Sequence, residues 1–316
     1  MTEKRIIAVE IGGTKLQAAI GTPEGKILRA ERGRVNPEKG AAGILDWVTA
    51  RVEELVAACG GAASAIGVGF GGPVESATGA VLVSHQIAGW EGVALKTLLE
   101  GRFSLPVVVA NDANAAGWAE YRLGAGRGAR QFFYMNIGSG IGGALVVDGK
   151  LHDGQGRGAG EIGHTWVPDW TADAPGRADK LENLCSGWSI ERRIRGWADL
   201  DPATSLGHCC GGDPARLTCA LLADAARQGD PRALEEIRRV AQTAALALAN
   251  VVTLFHPEVI ALGGGVSLMG DVLLSPLAEA LDARAFGPYR GRYRLTPCQL
   301  EEDVVVVGAL LLAGEC

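Results

Sequence analysis

One short pattern occurs twice in this chain and restricts its fold more than any other feature. Ile7-Ala8-Val9-Glu10-Ile11-Gly12-Gly13-Thr14 is echoed by Phe133-Tyr134-Met135-Asn136-Ile137-Gly138-Ser139-Gly140. Each is an apolar run ending in glycines, and each leads into a second apolar run, at residues 16–20 and 144–147. Glycine after a buried strand permits the sharp reversal of a hairpin. Two hairpins heading two long segments point to an internal duplication, and their separation is far too long for a solenoid repeat.

Between and after the hairpins the apolar period alternates. Leu45, Val48, Val52 and Leu55 recur at helical spacing within 43–59, and 65–69 is a short apolar strand ending in Gly69-Phe70-Gly71-Gly72-Pro73. Residues 93–100 read as a short helix and 107–110 as a buried strand. Asn111-Asp112 then caps a helix that runs to Leu123 and stops at Gly124. After 151–187, which reads as irregular, helices are expected at 189–197, 214–227 and 231–255. A strand at 259–262 runs into Gly263-Gly264-Gly265 and a helix from about Asp271, and residues 305–313 form a closing helix apolar nearly all round, hence packed inside. Strands alternating with helices predict an α/β layer fold.

Composition removes several classes of function. Glycine makes up 46 of the 316 residues, about double the usual ~7%, without collagen's period of three. A net charge of −6 does not favour nucleic acid, and the arginine-bearing stretch 284–294 is most simply a solvated loop. The most apolar segment, 304–314, is shorter than the ~20 residues of a membrane span. Lys4 and Arg5 precede an apolar run, but Glu10 interrupts it and no cleavage site follows, so no export signal is expected. Seven irregularly spaced cysteines fit reduced thiols in a cytoplasmic protein.

Glycine turns after strands gather backbone N–H groups on a concave surface, and such nests bind anions. Two of them suit a nucleoside triphosphate, although tight hairpins alone explain the same glycines. Gly138, Gly140 and Gly143 have the spacing of a dinucleotide fingerprint, but a strand and turn follow where the pyrophosphate-binding helix should be. No P-loop, G-x-S-x-G or H-E-x-x-H sequence occurs. Gly263-Gly264-Gly265 is instead a strand-to-helix turn, suited to phosphate or sugar approach or merely to close packing. Asp112 at a strand exit is a helix cap unless it has a chemical role. Glu161 and His164, in a glycine-rich loop, are by default a surface carboxylate and a hydrogen-bonded imidazole.

Taken together, and in this order along almost the whole chain, the motifs resemble the ROK family (repressors, open reading frames and kinases), and within it the glucokinase-like sugar kinases. They are Val9-Glu10-Ile11-Gly12-Gly13-Thr14-Lys15, Gly71-Gly72-Pro73-Val74, Gly89-Trp90, Asn111-Asp112-Ala113-Asn114, the Gly138 loop, Glu161-Ile162-Gly163-His164, Leu181-Glu182, Ser186-Gly187, Gly263-Gly264-Gly265 and Val307-Gly308-Ala309. The resemblance implies an actin-like ATPase fold of the duplicated ribonuclease H-like kind, with two lobes and a central cleft holding sugar and ATP. Residues 1–117, with a closing helix at about 303–316, would form the first lobe, and 118–302 the larger second.

By matching positions, the resemblance makes Asp112 the general base on a hexose hydroxyl. Gly72, Gln86, Asn111, Asp112, Glu161, His164 and Glu182 would bind the sugar. Glu10, Gly12, Gly13, Thr14, Lys15, Gly138, Ser139, Gly140, Gly264 and Gly265 would bind ATP, with Glu10 facing a hydrated Mg²⁺. A homodimer is also implied. The chemistry suits these residue types: a carboxylate that takes the proton from a hydroxyl contributes ~10²–10⁴-fold, and amides with Mg²⁺ neutralise the moving phosphoryl group.

Three departures stand out. The family's first strand ends in Asp where this chain has Glu10, one methylene longer. Many members carry a C-x-C-G-x-x-G-C zinc motif before Leu-Glu, whereas residues 173–180 contain no cysteine and Cys185 follows Glu182, so no zinc site is expected. The adjacent Cys209 and Cys210 beside His208 are poorly spaced to share one metal. Gln86 stands where the family has a sugar-contacting Asn before Gly-Trp. The alternative function is a catalytically weakened sugar- or nucleotide-binding protein with a regulatory role. The repressors of the family carry an N-terminal helix-turn-helix, for which a first strand beginning at Ile6 leaves no room.

Overall fold

The computed structural model describes residues 4–84, 87–197 and 200–316. Along the first part of the chain come β1 (Arg5–Ile11), β2 (Lys15–Gly21), β3 (Ile27–Arg34), α1 (Gly40–Ala58), β4 (Ala63–Phe70), β5 (Val74–Glu75), β6 (Ala80–Val81), α2 (Leu95–Phe103), β7 (Val107–Asn111) and α3 (Asp112–Leu123). The second part begins with β8 (Gln131–Ile137), β9 (Ile141–Val147), β10 (Lys150–Leu151), β11 (Trp166–Pro168), β12 (Ala178–Lys180), α4 (Leu181–Cys185) and α5 (Gly187–Arg195). It continues through α6 (Ser205–Cys210), α7 (Cys219–Arg227), α8 (Pro231–Phe255), β13 (Val259–Gly263), α9 (Asp271–Arg284), β14 (Arg294–Pro297) and α10 (Val304–Gly314).

Two five-stranded sheets result, in the orders β3-β2-β1-β4-β7 and β10-β9-β8-β13-β14. Each contains one of the two glycine hairpins. By its internal contacts the chain forms two compact units. The first runs to Gly128 and takes in Ala144–Gly160 and Gln299–Cys316, and the second comprises Ala129–Gly143 and Glu161–Cys298.

In the first unit, β1 pairs antiparallel with β2 and parallel with β4, which pairs parallel with β7. The alternation of β1 sorts its side chains to two cores. Ile7, Val9 and Ile11 join Ile44, Val48, Val52 and Leu55 of α1, while Ile6 and Ala8 join Val306, Ala309 and Leu310 of α10. The all-round apolar character of α10 follows from packing on both the sheet and α3. That contact requires bare backbone: a Cβ on Gly67 would lie 2.0 Å from the Ala309 carbonyl oxygen, and one on Gly308 1.9 Å from that of Ala115.

In the second unit, β8, β13 and β14 run parallel, and α8 packs along α9. Asp230 caps α8, accepting from the Arg232 and Ala233 amides at 3.0 Å, and Pro231 occupies the first turn, where its missing N–H costs nothing.

Four sequence expectations are corrected. Residues 214–227 are not one helix, because Thr218 accepts from the Leu221 amide and starts α7 afresh after a short turn. The interval 151–187 is not irregular throughout, since β11 and β12 pair within it. The helix expected at 93–100 forms two residues later, as α2. The stretch 284–294 is not simply a solvated loop: Arg290 donates to the Ala283 and Ala285 carbonyls, and Arg294 opens β14, paired with β13. Among the described residues no helix is long and apolar enough to cross a membrane.

Candidate active site

In the first unit the parallel register aligns three strand ends. Ile11 pairs with Phe70, and Phe70 with Asn111, so Gly12, Gly71 and Asp112 each stand one residue beyond an aligned row. The Gly71 amide donates to the Ile11 carbonyl at 2.8 Å. A Cβ on Gly71 would come within 3.2 Å of that oxygen, 3.3 Å of Asp112 Oδ2 and 3.4 Å of Gly12 Cα. A side chain at residue 71 would therefore crowd the Asp112 carboxylate and the first turn together.

The helix cap at this point is Asn111 rather than Asp112. Asn111 Oδ1 accepts from the Asn114 amide at 3.1 Å, and its Nδ2 donates to the Gly72 carbonyl at 3.1 Å. Asp112 is the first residue of α3, and its Oδ1 accepts from the Ala113 amide at 2.7 Å.

Across the first turn the Gly12 amide donates to the Lys15 carbonyl at 3.0 Å. Beside it a small recess is lined by Ile11, Gly12, Gly13, Phe70, Gly71 and Trp90, with Phe70 and Trp90 meeting edge to face at 4.9 Å. Glu10 is 9% exposed. Burial is the main cause that pushes its carboxyl above the usual carboxylate range; Lys15 opposes that rise, while Asp303 and Glu302 add to it. Lys15 Nζ is 3.1 Å from Glu10 Oε2 and donates to the Glu302 carbonyl at 2.8 Å. Asp303 in turn accepts from Gln17 at 2.7 Å and Arg32 at 3.1 Å. A carboxylate in this acidic setting has the hard oxygen chemistry a magnesium ion prefers while keeping most of its waters.

In the second unit the elements converge on Ile141, at the far side of the second turn. The Gly138 amide donates to the Gly140 carbonyl, and the Gly187 amide, at the start of α5, to the Gly138 carbonyl, both at 2.8 Å. Glu182 Oε2 accepts from the Ile141 amide at 2.9 Å, and a Cβ on Gly140 would lie 2.5 Å from that same oxygen. Gly163, between Glu161 and His164, packs so closely that a Cβ there would be 2.1 Å from the Ile141 carbonyl oxygen. Glu161 and His164 are exposed on this loop. The loop at Gly264 also meets the hairpin: Gly264 has φ +83°, a Cβ on it would be 2.5 Å from the Ile137 carbonyl, and the Val266 amide donates to that carbonyl at 2.9 Å.

Glu161, His164, Glu182, Gly138, Ser139, Gly140, Gly264 and Gly265 thus belong to one unit, and Glu10, Gly12, Gly13, Thr14, Lys15, Gly72, Asn111 and Asp112 to the other. Gln86 lies outside the described residues. Three participants are not legible from motifs. Asn136 Oδ1 accepts from the Gly142 amide at 2.9 Å, and only its alignment with Glu10 in the repeat could have singled it out. Ile141 takes part through its backbone, which no side-chain pattern reveals. Lys180 places Nζ 3.1 Å from His164 Nδ1.

The ROK family model matches residues 6–315. The glucokinase of Streptomyces coelicolor is 34% identical over 316 residues, covering 98% of this chain and 97% of that protein. The glucokinase of Thermotoga maritima is 31% identical over 317 residues, covering 100% and 99%. Among solved structures, the ROK glucokinase of Streptomyces griseus in complex with glucose and AMPPNP superposes with a TM-score of 0.84 at 33% identity, covering 99% of this chain and 100% of that one.

Proposed function

Because this chain belongs to the ROK family, with the actin-like ATPase fold of its sugar kinases, we propose that it phosphorylates a hexose on a primary hydroxyl with Asp112 as the general base. That it is a sugar kinase using ATP follows from its relatives; the residue roles rest on the motifs the chain shares with that family, and the local geometry supports the one given to Asp112. The observation that carries the role of Asp112 is its carboxylate at the aligned ends of three parallel strands, beside Gly71 and Gly12, with the helix cap provided by Asn111.

In this reading Asp112 accepts the hydroxyl proton as the sugar oxygen forms its bond to the γ-phosphorus. The bond from that phosphorus to the β-bridging oxygen breaks, and ADP leaves with the electron pair. By the family motifs Glu161, His164 and Glu182 are assigned as acceptors and a donor for the remaining hydroxyls, and Gly72, Asn111 and Gln86 are assigned to the sugar as well. By the same motifs the backbone amides of Gly12, Gly13, Thr14 and Lys15, and those of Gly138, Ser139 and Gly140, are each assigned to phosphate, and Gly264-Gly265 to the adenosine. Magnesium, when bound, neutralises developing phosphate charge, and Glu10 is the residue to hold it through water.

The test is a coupled ADP-release assay over glucose, fructose, mannose, N-acetylglucosamine and N-acetylmannosamine, with Asp112→Asn as control. Sugar-dependent release that falls by about 10²–10⁴-fold in the variant, with sugar binding retained, supports the assignment. Undiminished turnover in Asp112→Asn removes it.

A further inference from the structure

We infer that the ammonium group of Lys180, and not a metal ion, orients the ring of His164, holding Nδ1 as a hydrogen-bond acceptor and leaving Nε2–H as the ring's donor. The consequence for substrate rests on the proposed sugar-binding role of His164; the orientation itself does not.

Backbone pairing brings the two residues together. Lys180 ends β12 opposite Trp166 of β11, and the Leu181 amide donates to the Thr165 carbonyl at 2.8 Å. Lys180 is thereby carried alongside the turn that ends in His164, with Nζ 3.1 Å from Nδ1. An ammonium has three N–H donors and no lone pair, so Nδ1 must offer its own lone pair, and the proton of the neutral ring resides on Nε2. A sugar hydroxyl oxygen then has a fixed donor to meet. A metal ion on Nδ1 would need the lone pair already engaged and would set a second positive charge beside the first.

The remaining donors do not fit zinc either. The nearest cysteine after the cysteine-free stretch is Cys185, fully buried, with Sγ 3.7 Å from the Val240 carbonyl. Burial pushes its thiol up to about 12, whereas zinc takes thiolate. Among the described residues no three His, Cys, Asp or Glu side chains gather to hold a metal. The β11–β12 hairpin has other anchors: the Trp170 ring in its loop is faced by the guanidinium carbons of Arg193 at 4.5 Å and Arg239 at 5.3 Å. Arg193 is itself tied to buried Glu236 through Nε at 2.8 Å. Cation–π contacts and an ion pair thus serve where a bound metal would cross-link a loop.

The experiment compares the full-length wild type with Lys180→Met and Lys180→Arg. Long-range ¹H–¹⁵N correlation of the ring nitrogens is expected to show His164 as the Nε2–H form in the wild type and in Lys180→Arg, and as a mixture of both tautomers in Lys180→Met. Elemental analysis is expected to find substoichiometric zinc. The KM for sugar should rise about tenfold in Lys180→Met with kcat within about twofold, and recover in Lys180→Arg. One tightly bound zinc per chain whose chelation moves the His164 ring signals, or an unchanged tautomer in Lys180→Met, overturns the inference. If the wild type shows no sugar-dependent ADP release, the kinase reading fails on its own, and the ring-nitrogen spectra still decide the role of Lys180.

Discussion

The ammonium of Lys15 lies 3.1 Å from the carboxylate of Glu10, bridging the two strands of the first glycine hairpin. The same ammonium reaches the Glu302 carbonyl at 2.8 Å, so the hairpin is fastened to the segment that leads into α10. Lys15 therefore secures the turn as well as lending it positive charge.

The titration of Glu10 follows from its burial. Its pKa is raised, so the folded protein binds this proton more tightly than the unfolded chain does. At this group stability is greatest at low pH and is lost as pH rises through the folded pKa. Glu10→Gln removes a charge that burial opposes. Thermal melts between about pH 4 and about pH 8 should show the variant gaining on the wild type as pH rises, while its ATP turnover falls. A stability difference that does not change with pH would contradict the dominance of desolvation.

Gly71 gives a test that separates packing at the strand ends from global stability. Gly71→Ala pushes a methyl group against the Ile11 carbonyl and Asp112 Oδ2. Because the groups that must yield include the proposed base, kcat should drop by about tenfold or less, a few tenths of an ångström costing less than the roughly 10²-fold of a misplacement of about 1 Å, with a modest change in melting temperature. Full activity in Gly71→Ala would show that Asp112 need not sit so close to this turn.

Glu182 joins its proposed sugar-binding role to the second glycine turn, proposed to hold phosphate, since its carboxylate accepts from the Ile141 amide. Glu182→Ala leaves that amide without its charged acceptor, a loss of roughly ten- to hundredfold in nucleotide affinity. Glu182→Gln keeps an oxygen acceptor and should retain most of that affinity while weakening sugar binding. Titration with AMPPNP in the absence of sugar reads the first effect alone, and equal affinity in all three proteins would detach Glu182 from the turn.

Two glycines of opposite setting test the packing account of the first unit. Gly67→Ala drives a methyl group into the Ala309 backbone and should cost about 1–3 kcal/mol or more, by overpacking. Gly101, in α2, has nothing within 4 Å of a built Cβ, so Gly101→Ala should stabilise by about 0.5–1 kcal/mol. Denaturant melts measure both, and similar changes at the two sites would refute the close approach of α10.

Local periodicity and backbone sterics can be read directly along the chain. Both glycine hairpins, the strand–cap–helix passage through Asn111 and Asp112, and the buried character of α10 were legible because each is written in consecutive residues. At the turn after β9, Asp148 and Gly149 adopt positive φ, 47° and 79°, which these two residue types tolerate. The tertiary structure alone decided which distant groups meet. β11 and β14, of three and four residues, exist only because β12 and β13 lie alongside them, and so short a run has no period to read. The same holds for Lys180 beside His164, Glu182 under Ile141, and Asp303 between Gln17 and Arg32. Hydrogen bonds between residues far apart in the chain depend on the path of the backbone through space, which side-chain patterning constrains but does not specify.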